Sequence, residues 1–501
     1  MVSLPPFEVL LAISVLIIIV AWLLRSSRRP SGLPPGPPGL PILGNALEIS
    51  ADNTYKGLAK WGKLYGPVVA VKAFSQTCIV INSPDAANEI LSKSSATTSH
   101  RIVRPMALLS GWERALPHLQ PAAEFRQHRQ YMKIAVGAAA MMEYEPEHER
   151  RALQLVQKLS RNPKEIYNEV AFWIAVSFEH VAYGTDEEED FSGFVEMGRH
   201  ALKIFQETSS PMILWAVDIL PSLRYLPSWL PGMGFKRQAD TWRMYMRELL
   251  DKAFENSVRR MEAGGSSSCL ISRVAECQPL DTLDENSKEI LKNAALNIYV
   301  GGFDTMTSMV LSFFLAMTLY PDVQKGAQLK VDAVTHGLRL PTFADRDSLP
   351  CIDRMVKEVL RWAVPTTLVF PHSQDPSQDA IVDGVFIPKG SLLIVNTGGI
   401  FEDPEIYADP RRFWPDRFLD DNVLDPFSVA FGYARRKCIG MHFVEKRLWI
   451  TIATALATLD VCAPTNPGAR APRAAWTSGA MRLPLSFDAV FNVRHPALIE
   501  G

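Results

Sequence analysis

From Asn286 to Leu319 the chain reads NSKEILKNAALNIYVGGFDTMTSMVLSFFLAMTL, and it stops at Tyr320-Pro321. This stretch constrains the fold more than any other. Its centre is apolar on every side, which suits a helix buried all round. The proline ends it, because its ring disfavours helical backbone in the residue before it. A second membrane span is the alternative. Lys288, Lys292 and Asp304 interrupt the run, however, and no positive charges flank its end. The expectation is therefore a helix through the core. Its middle carries Gly301-Gly302, which cost ~1 kcal/mol each relative to alanine in a helix interior. Asp304-Thr305 follows at once, and such residues at the centre of a core helix mark a site.

An uninterrupted apolar run, VLLAISVLIIIVAWLL, spans Val9 to Leu24, with Arg25, Arg28 and Arg29 after it. Its length suits a thin bilayer, and the basic flank places everything downstream in the cytosol. No positive charge precedes it and no A-x-A site follows, so an uncleaved anchor is expected rather than a signal peptide. The proline-rich PSGLPPGPPGLPILGN (Pro30 to Asn45) reads as a semi-rigid spacer. The expected organisation is an anchor at 1–24, a linker at 25–45 and one catalytic domain at 46–501.

That domain is expected to be mainly α with small β-sheets. Val68 to Asn82 is rich in β-branched residues and reads as a hairpin; Leu368 to Asn396 is a second β-flavoured region. Between them the pattern is mostly helical. With 47% apolar residues, a chain of 501 residues can bury a large core. Lys and Arg (52) nearly balance Asp and Glu (54), and no zinc-finger spacing or Arg-rich arm points to nucleic acid. The six cysteines are scattered without CxxC pairing, which suggests a reducing compartment.

Cys438 then needs a role other than half of a bridge. It lies in FGYARRKCIG (residues 431–440), directly before a stretch with apolar residues at helical spacing. At a helix N-terminus, free N–H groups and the dipole favour a thiolate. Arg435, Arg436 and Lys437 add positive potential. Two chemistries want such a sulfur: a cysteine nucleophile with a histidine base, for which His442 is near but lacks an orienter, or a haem ligand.

The decapeptide resembles the haem-binding signature FGxGxRxCxG of the cytochrome P-450 family. GGFDTM (301–306) is similar to that family's oxygen-activating motif, EVLR (358–361) matches ExxR, and FWPDRF (413–418) matches the later PERF-type segment. The resemblance covers essentially the whole chain and implies the cytochrome P-450 fold behind an N-terminal transmembrane helix. It implies haem b with Cys438 as the axial iron ligand, and Asp304 and Thr305 as a proton-relaying acid–alcohol pair. Glu358, Arg361 and Arg417 would form a structural clamp, and Arg129, Arg436 and His372 would meet the haem propionates. Electrons would come from NADPH through NADPH–cytochrome P-450 reductase, with cytochrome b5 as a candidate second donor. Lys133, Lys437, Lys446 and Arg447 are candidates for the basic docking face.

The implied enzyme is an endoplasmic reticulum monooxygenase that oxidises a hydrophobic small molecule, a terpenoid or other fungal secondary metabolite. SLRYLPSWLPGMGFKR (222–237) further resembles a group of mushroom enzymes that includes terpene oxidases. Candidate pocket walls are the segment between Arg101 and Glu124, Phe303, Leu368 to Phe370, and Ser478 to Met481. Trp215, Leu220, Trp229 and Leu230 would lie near a lipid-facing entrance. Alternatives are desaturation, rearrangement or multi-step oxidation on the same haem, haem binding with little turnover, or a cysteine hydrolase. Four departures stand out. Phe125 replaces a tryptophan and its N–H donor, Ala434 replaces the signature's second glycine, Met306 stands where the family has Thr or Ser, and Gly398-Gly399 replaces Trp-Ala.

Overall fold

The computed structural model of the chain describes residues 32–500 except 50–51, 75, 186–190, 210–212, 214, 265–267, 467 and 479–480. The expected anchor at 1–24 lies outside the described residues, as does the spacer before residue 32. Contacts divide the chain into two units. The smaller takes the chain through Ile102, Leu368–Ile400 and Tyr433–Arg435; the larger takes Val103–Thr367, Phe401–Gly432 and Arg436 onward.

The smaller unit is built on a four-stranded sheet in the order β1 (Val68–Ala73), β2 (Gln76–Ile81), β6 (Leu392–Val395), β3 (His372–Ser373). The β-branched residues form the expected hairpin, with Val68 opposite Ile81 and Ala73 opposite Gln76. β2 also pairs in parallel with β6, from Cys78–Leu392 to Ile81–Val395. Flanked on both sides, Val80 and Ile81 are almost fully buried, as β-branched residues in a sheet interior should be. Tyr55 and Leu58 of the helix Thr54–Tyr65 pack on this sheet with Val69, Val71 and Leu368. A separate hairpin joins β4 (Ala380–Val382) to β5 (Val385–Ile387).

The larger unit is helical. Its helices relevant to the site are α1 (Ala123–Val136), α2 (Glu145–Arg161), α3 (Ile166–Tyr183), α4 (Phe191–Ser209), α5 (Glu285–Leu319), α6 (Pro350–Ala363) and α7 (Met441–Thr458). Its one strand pair among the described residues is β7 (Leu459–Cys462) with β8 (Val490–Val493), apart from isolated bridges. α5 is the core helix expected from its composition. The Asp284 carboxylate caps it by accepting the Ser287 N–H at 2.7 Å. It ends at Tyr320, whose φ of −129° already leaves the helix ahead of Pro321. Of its most apolar window, 78% is buried inside the protein, which answers the membrane-span alternative. α5 packs against α1, α3, α6 and α7.

α7 corrects one expectation. Lys446 and Arg447 do not form a solvated docking face with Lys133. Arg447 is fully buried, with its guanidinium 5.4 Å from the rings of both Trp173 and Phe443. Burial pulls its pKa down to about 9. Lys446 is tied to Glu145 in an ion pair. Consecutive charges on a helix spread around its circumference, so a run such as EKR cannot all face water when the helix lies inside a core. Lys133 remains exposed.

Candidate active site at Cys438 and the centre of α5

The two glycines of α5 do different things. A Cβ on Gly302 would lie 2.1 Å from the tip of the Phe178 ring, so this glycine lets α3 and α5 meet. A Cβ on Gly301 would meet nothing within 4 Å; this glycine opens onto space in the middle of a buried helix. The helix is unbroken across the pair. It stays α-helical from Glu285 to Leu319, and the Thr305 hydroxyl donates to the Gly301 and Gly302 carbonyls at 3.1 and 3.2 Å. A side-chain bond of this kind supplements the main-chain ladder. The accessible face of α5 therefore runs along Asn297, Gly301 and Thr305, one helical turn apart. Phe303 points elsewhere and stacks on Tyr299 with centroids 5.9 Å apart.

Asp304 lies beside that face and is 8% exposed. One carboxylate oxygen, Oδ2, accepts a 2.6 Å hydrogen bond from Nε2 of Gln206 on α4. Burial dominates its electrostatics and lifts its pKa to about 6, while the Gln206 bond pulls the other way.

Cys438 precedes α7, with its own N–H donating to the Phe431 carbonyl at 2.8 Å. The residue is solvent-accessible, yet enough protein surrounds the thiol for burial to govern its charge. The thiol's pKa is accordingly raised by burial. The Gly440 N–H and the Arg129 charge oppose that shift without overcoming it. Of the groups expected to favour a thiolate, the backbone N–H is present, from Gly440; the charge comes from Arg129 rather than from Arg435, Arg436 or Lys437, and the loss of water outweighs both.

Arg129 and Arg436 stand in the same unit. Arg129 Nη1 donates to the Lys437 carbonyl at 3.0 Å, and Arg436 Nη2 to the Leu119 carbonyl at 2.6 Å. Burial lowers the pKa of both; Arg436 reaches about 10, with repulsion from Arg129 adding to the effect. Two cations, Arg436 buried and Arg129 half-buried, that repel each other suit an anionic ligand. Phe125 shows what takes the place of an indole N–H: the Arg436 guanidinium sits 4.0 Å over its ring.

His372 belongs to the smaller unit, where Nδ1 lies 3.0 Å from the Thr98 carbonyl oxygen. Just before it, Arg101 donates to the carbonyls of Phe370 and Pro371 and lies over the Phe370 ring. The sequence marks Arg101 only as the edge of a candidate wall segment. An arginine within SHRIVR carries no spacing signal. Of the expected walls, residues 479–480 lie outside the described residues.

Glu358, Arg361 and Arg417 are brought together and buried. Arg361 grips the Glu358 carboxylate bidentately at 2.8 and 2.7 Å, and Arg417 Nε adds bonds at 3.3 and 3.1 Å. The spare donors reach the carbonyls of Phe401, Ala408, Asp409, Pro410 and Arg412. The cluster thus stitches down a loop with little regular structure.

Ala434 adopts φ +41°, the left-handed region that the signature glycine would occupy freely. An alanine there is strained by ~1–2 kcal/mol. Ala434→Gly should relieve this against a larger unfolded-chain entropy, for a net gain of about 0.5–1 kcal/mol. A denaturant midpoint that rises without a change in slope would show it; a fall would refute the strain argument.

Comparison with known proteins agrees with this geometry. The family described as Cytochrome P-450 matches residues 34–481. Cytochrome P-450 monooxygenase 208 of Postia placenta is 34% identical over 94% of this chain and 91% of its own. Tryptamine 4-monooxygenase of Psilocybe cyanescens is 31% identical over 94% and 95%. A solved zebra fish cytochrome P-450 with abiraterone superposes with a TM-score of 0.70 at 17% identity, covering 88% of this chain and all of that one. The molecule is thus a mainly helical oxidoreductase of the class that holds haem through a cysteine thiolate. The chain belongs to the cytochrome P-450 family and is a monooxygenase of that family.

Proposed function

We propose that this chain is a membrane-anchored monooxygenase of the endoplasmic reticulum, with Cys438 as the axial ligand of haem b. The observation that carries the reading is the grouping in one unit of Cys438, the opposing Gly440 N–H and Arg129, and the Arg129–Arg436 cation pair. Bound haem would supply oxygen activation and one-electron chemistry. Arg129 and Arg436 would hold its propionates. Asp304 would take up and release the protons the reaction consumes, and the Thr305 hydroxyl would present them on the open face of α5. Glu358, Arg361 and Arg417 would keep the fold around the cofactor.

The substrate in this reading is a hydrophobic small molecule, a terpenoid ahead of an indole or polyketide. Electrons would arrive from NADPH through a reductase. Ile219, Leu220, Tyr225, Leu226 and Trp229 are exposed beside Arg224, Lys236 and Arg237, a composition suited to an anionic membrane surface. Trp215 is not part of that row; it packs edge-on against Trp242 and donates to the Glu207 carbonyl.

The test is haem stoichiometry and the reduced-CO spectrum of protein made with ample haem. Wild type should carry one haem per chain and show the red-shifted band of thiolate ligation; Cys438→His should lose the band while keeping haem. A folded wild type without iron porphyrin, or an unaltered band in the variant, overturns the assignment. Spectral titration with terpenoid and indole scaffolds then ranks the substrate classes, and a silent response from all terpenoids removes that preference.

A further inference from the structure

The carboxyl of Asp304 is reached from a second helix, and the contact is neutral. α4 approaches α5 closely at Gly198, where a Cβ would fall 2.4 Å from the Tyr299 ring. About two turns later along α4, Gln206 arrives at Asp304 and donates to Oδ2 at 2.6 Å. Gln206 is itself exposed, so burial did not force its amide onto the carboxyl. We propose that Gln206 is a positioning residue for proton delivery: it fixes Oδ2 and leaves Oδ1 to exchange protons beside Thr305. This rests on the reading of Asp304 as the proton-handling acid.

The choice of an amide matters because of what a charge would do. A lysine or arginine at this position would hold Asp304 as a carboxylate throughout the physiological range. An apolar side chain would leave the ionised form without its donor. The amide orients the carboxyl while letting it titrate near the working pH, where a proton shuttle is most effective. Other titratable groups surround the stretch: Arg199 on α4, Glu179 and Tyr183 on α3, Tyr299 on α5, Arg260 on the helix Gly234–Glu262, and His118, whose Nε2 lies 2.9 Å from Ser209 Oγ. The principal influences on Asp304 are burial and Gln206.

The experiment compares Gln206→Leu, Gln206→Glu and Gln206→Lys in the haem-loaded enzyme with reductase. It measures the pH profile of product formation and the division of NADPH electrons between product and hydrogen peroxide. Leu and Glu should move the acidic limb to higher pH, and Lys should move it to lower pH. Leu should also lower the product share several-fold while NADPH consumption continues and the reduced-CO band stays unchanged. A contact that serves only helix packing would alter the melting temperature and leave limb and partition in place; that result overturns the proposal. If Asp304→Asn also leaves the partition unchanged, the reading of Asp304 falls with it. Wild type that lacks haem would sink both.

Discussion

Asp304→Asn makes the protein more stable and a worse catalyst. The wild-type carboxyl is raised from 3.8 to about 6 because burial opposes its charge. A raised acid favours the protonated fold. The penalty is absent below pH 3.8, grows as pH climbs towards 6, and is complete above it. Two units correspond to ~3 kcal/mol at neutral pH, which a neutral amide of the same shape escapes. The gap in melting temperature between variant and wild type should therefore widen from pH 5 to pH 8. Product formation should fall by about 10²-fold, the lower range for a lost acid–base group, with electrons diverted to hydrogen peroxide. Measured together, denaturation against pH and the product-to-NADPH ratio decide the matter. A variant that loses stability at pH 8 refutes the burial argument, and one that keeps full coupling refutes the role.

Glu358→Ala acts on the fold alone. It removes the one carboxylate shared by two buried guanidiniums and the acceptor of the Trp414 N–H at 2.8 Å. Breaking such a cluster from one side destabilises by about 3–5 kcal/mol, because the remaining charges stay buried. The loop carbonyls bound by Arg361 and Arg417 lose their anchors next. Soluble yield and haem content should collapse together, whereas Glu358→Gln, which keeps an acceptor, should retain part of both. A Glu358→Ala protein with a denaturation midpoint near wild type would show that the clamp is dispensable.

The sequence was most informative where one helix carried the whole signal. α5 was legible from end to end, because an apolar periphery, a proline stop and a misplaced Gly-Gly-x-Asp-Thr all lie within one run. The hairpin β1–β2 was legible for the same reason. Contacts made across the chain were not. Gln206 is 98 residues from Asp304, and a single glutamine on a helix offers no pattern to find. Arg447 looked like surface because charge runs usually are, and only the packing of α7 reveals otherwise. Phe125 reads in the sequence as a lost donor, whereas in the fold its ring lies beneath Arg436. The raised pKa of Cys438 had the same cause: spacing reveals which groups stand near a sulfur but not how much solvent they displace.

Gly301 and Gly302 are neighbours with opposite tolerances. A side chain at 302 meets an aromatic ring head-on and would be purged as a folding defect. A Cβ at 301 enters open space and meets no neighbouring atom within 4 Å. On the proposed reading of this face, natural drift or a directed library would reshape which molecules are admitted at less cost to the architecture through 301 than through 302.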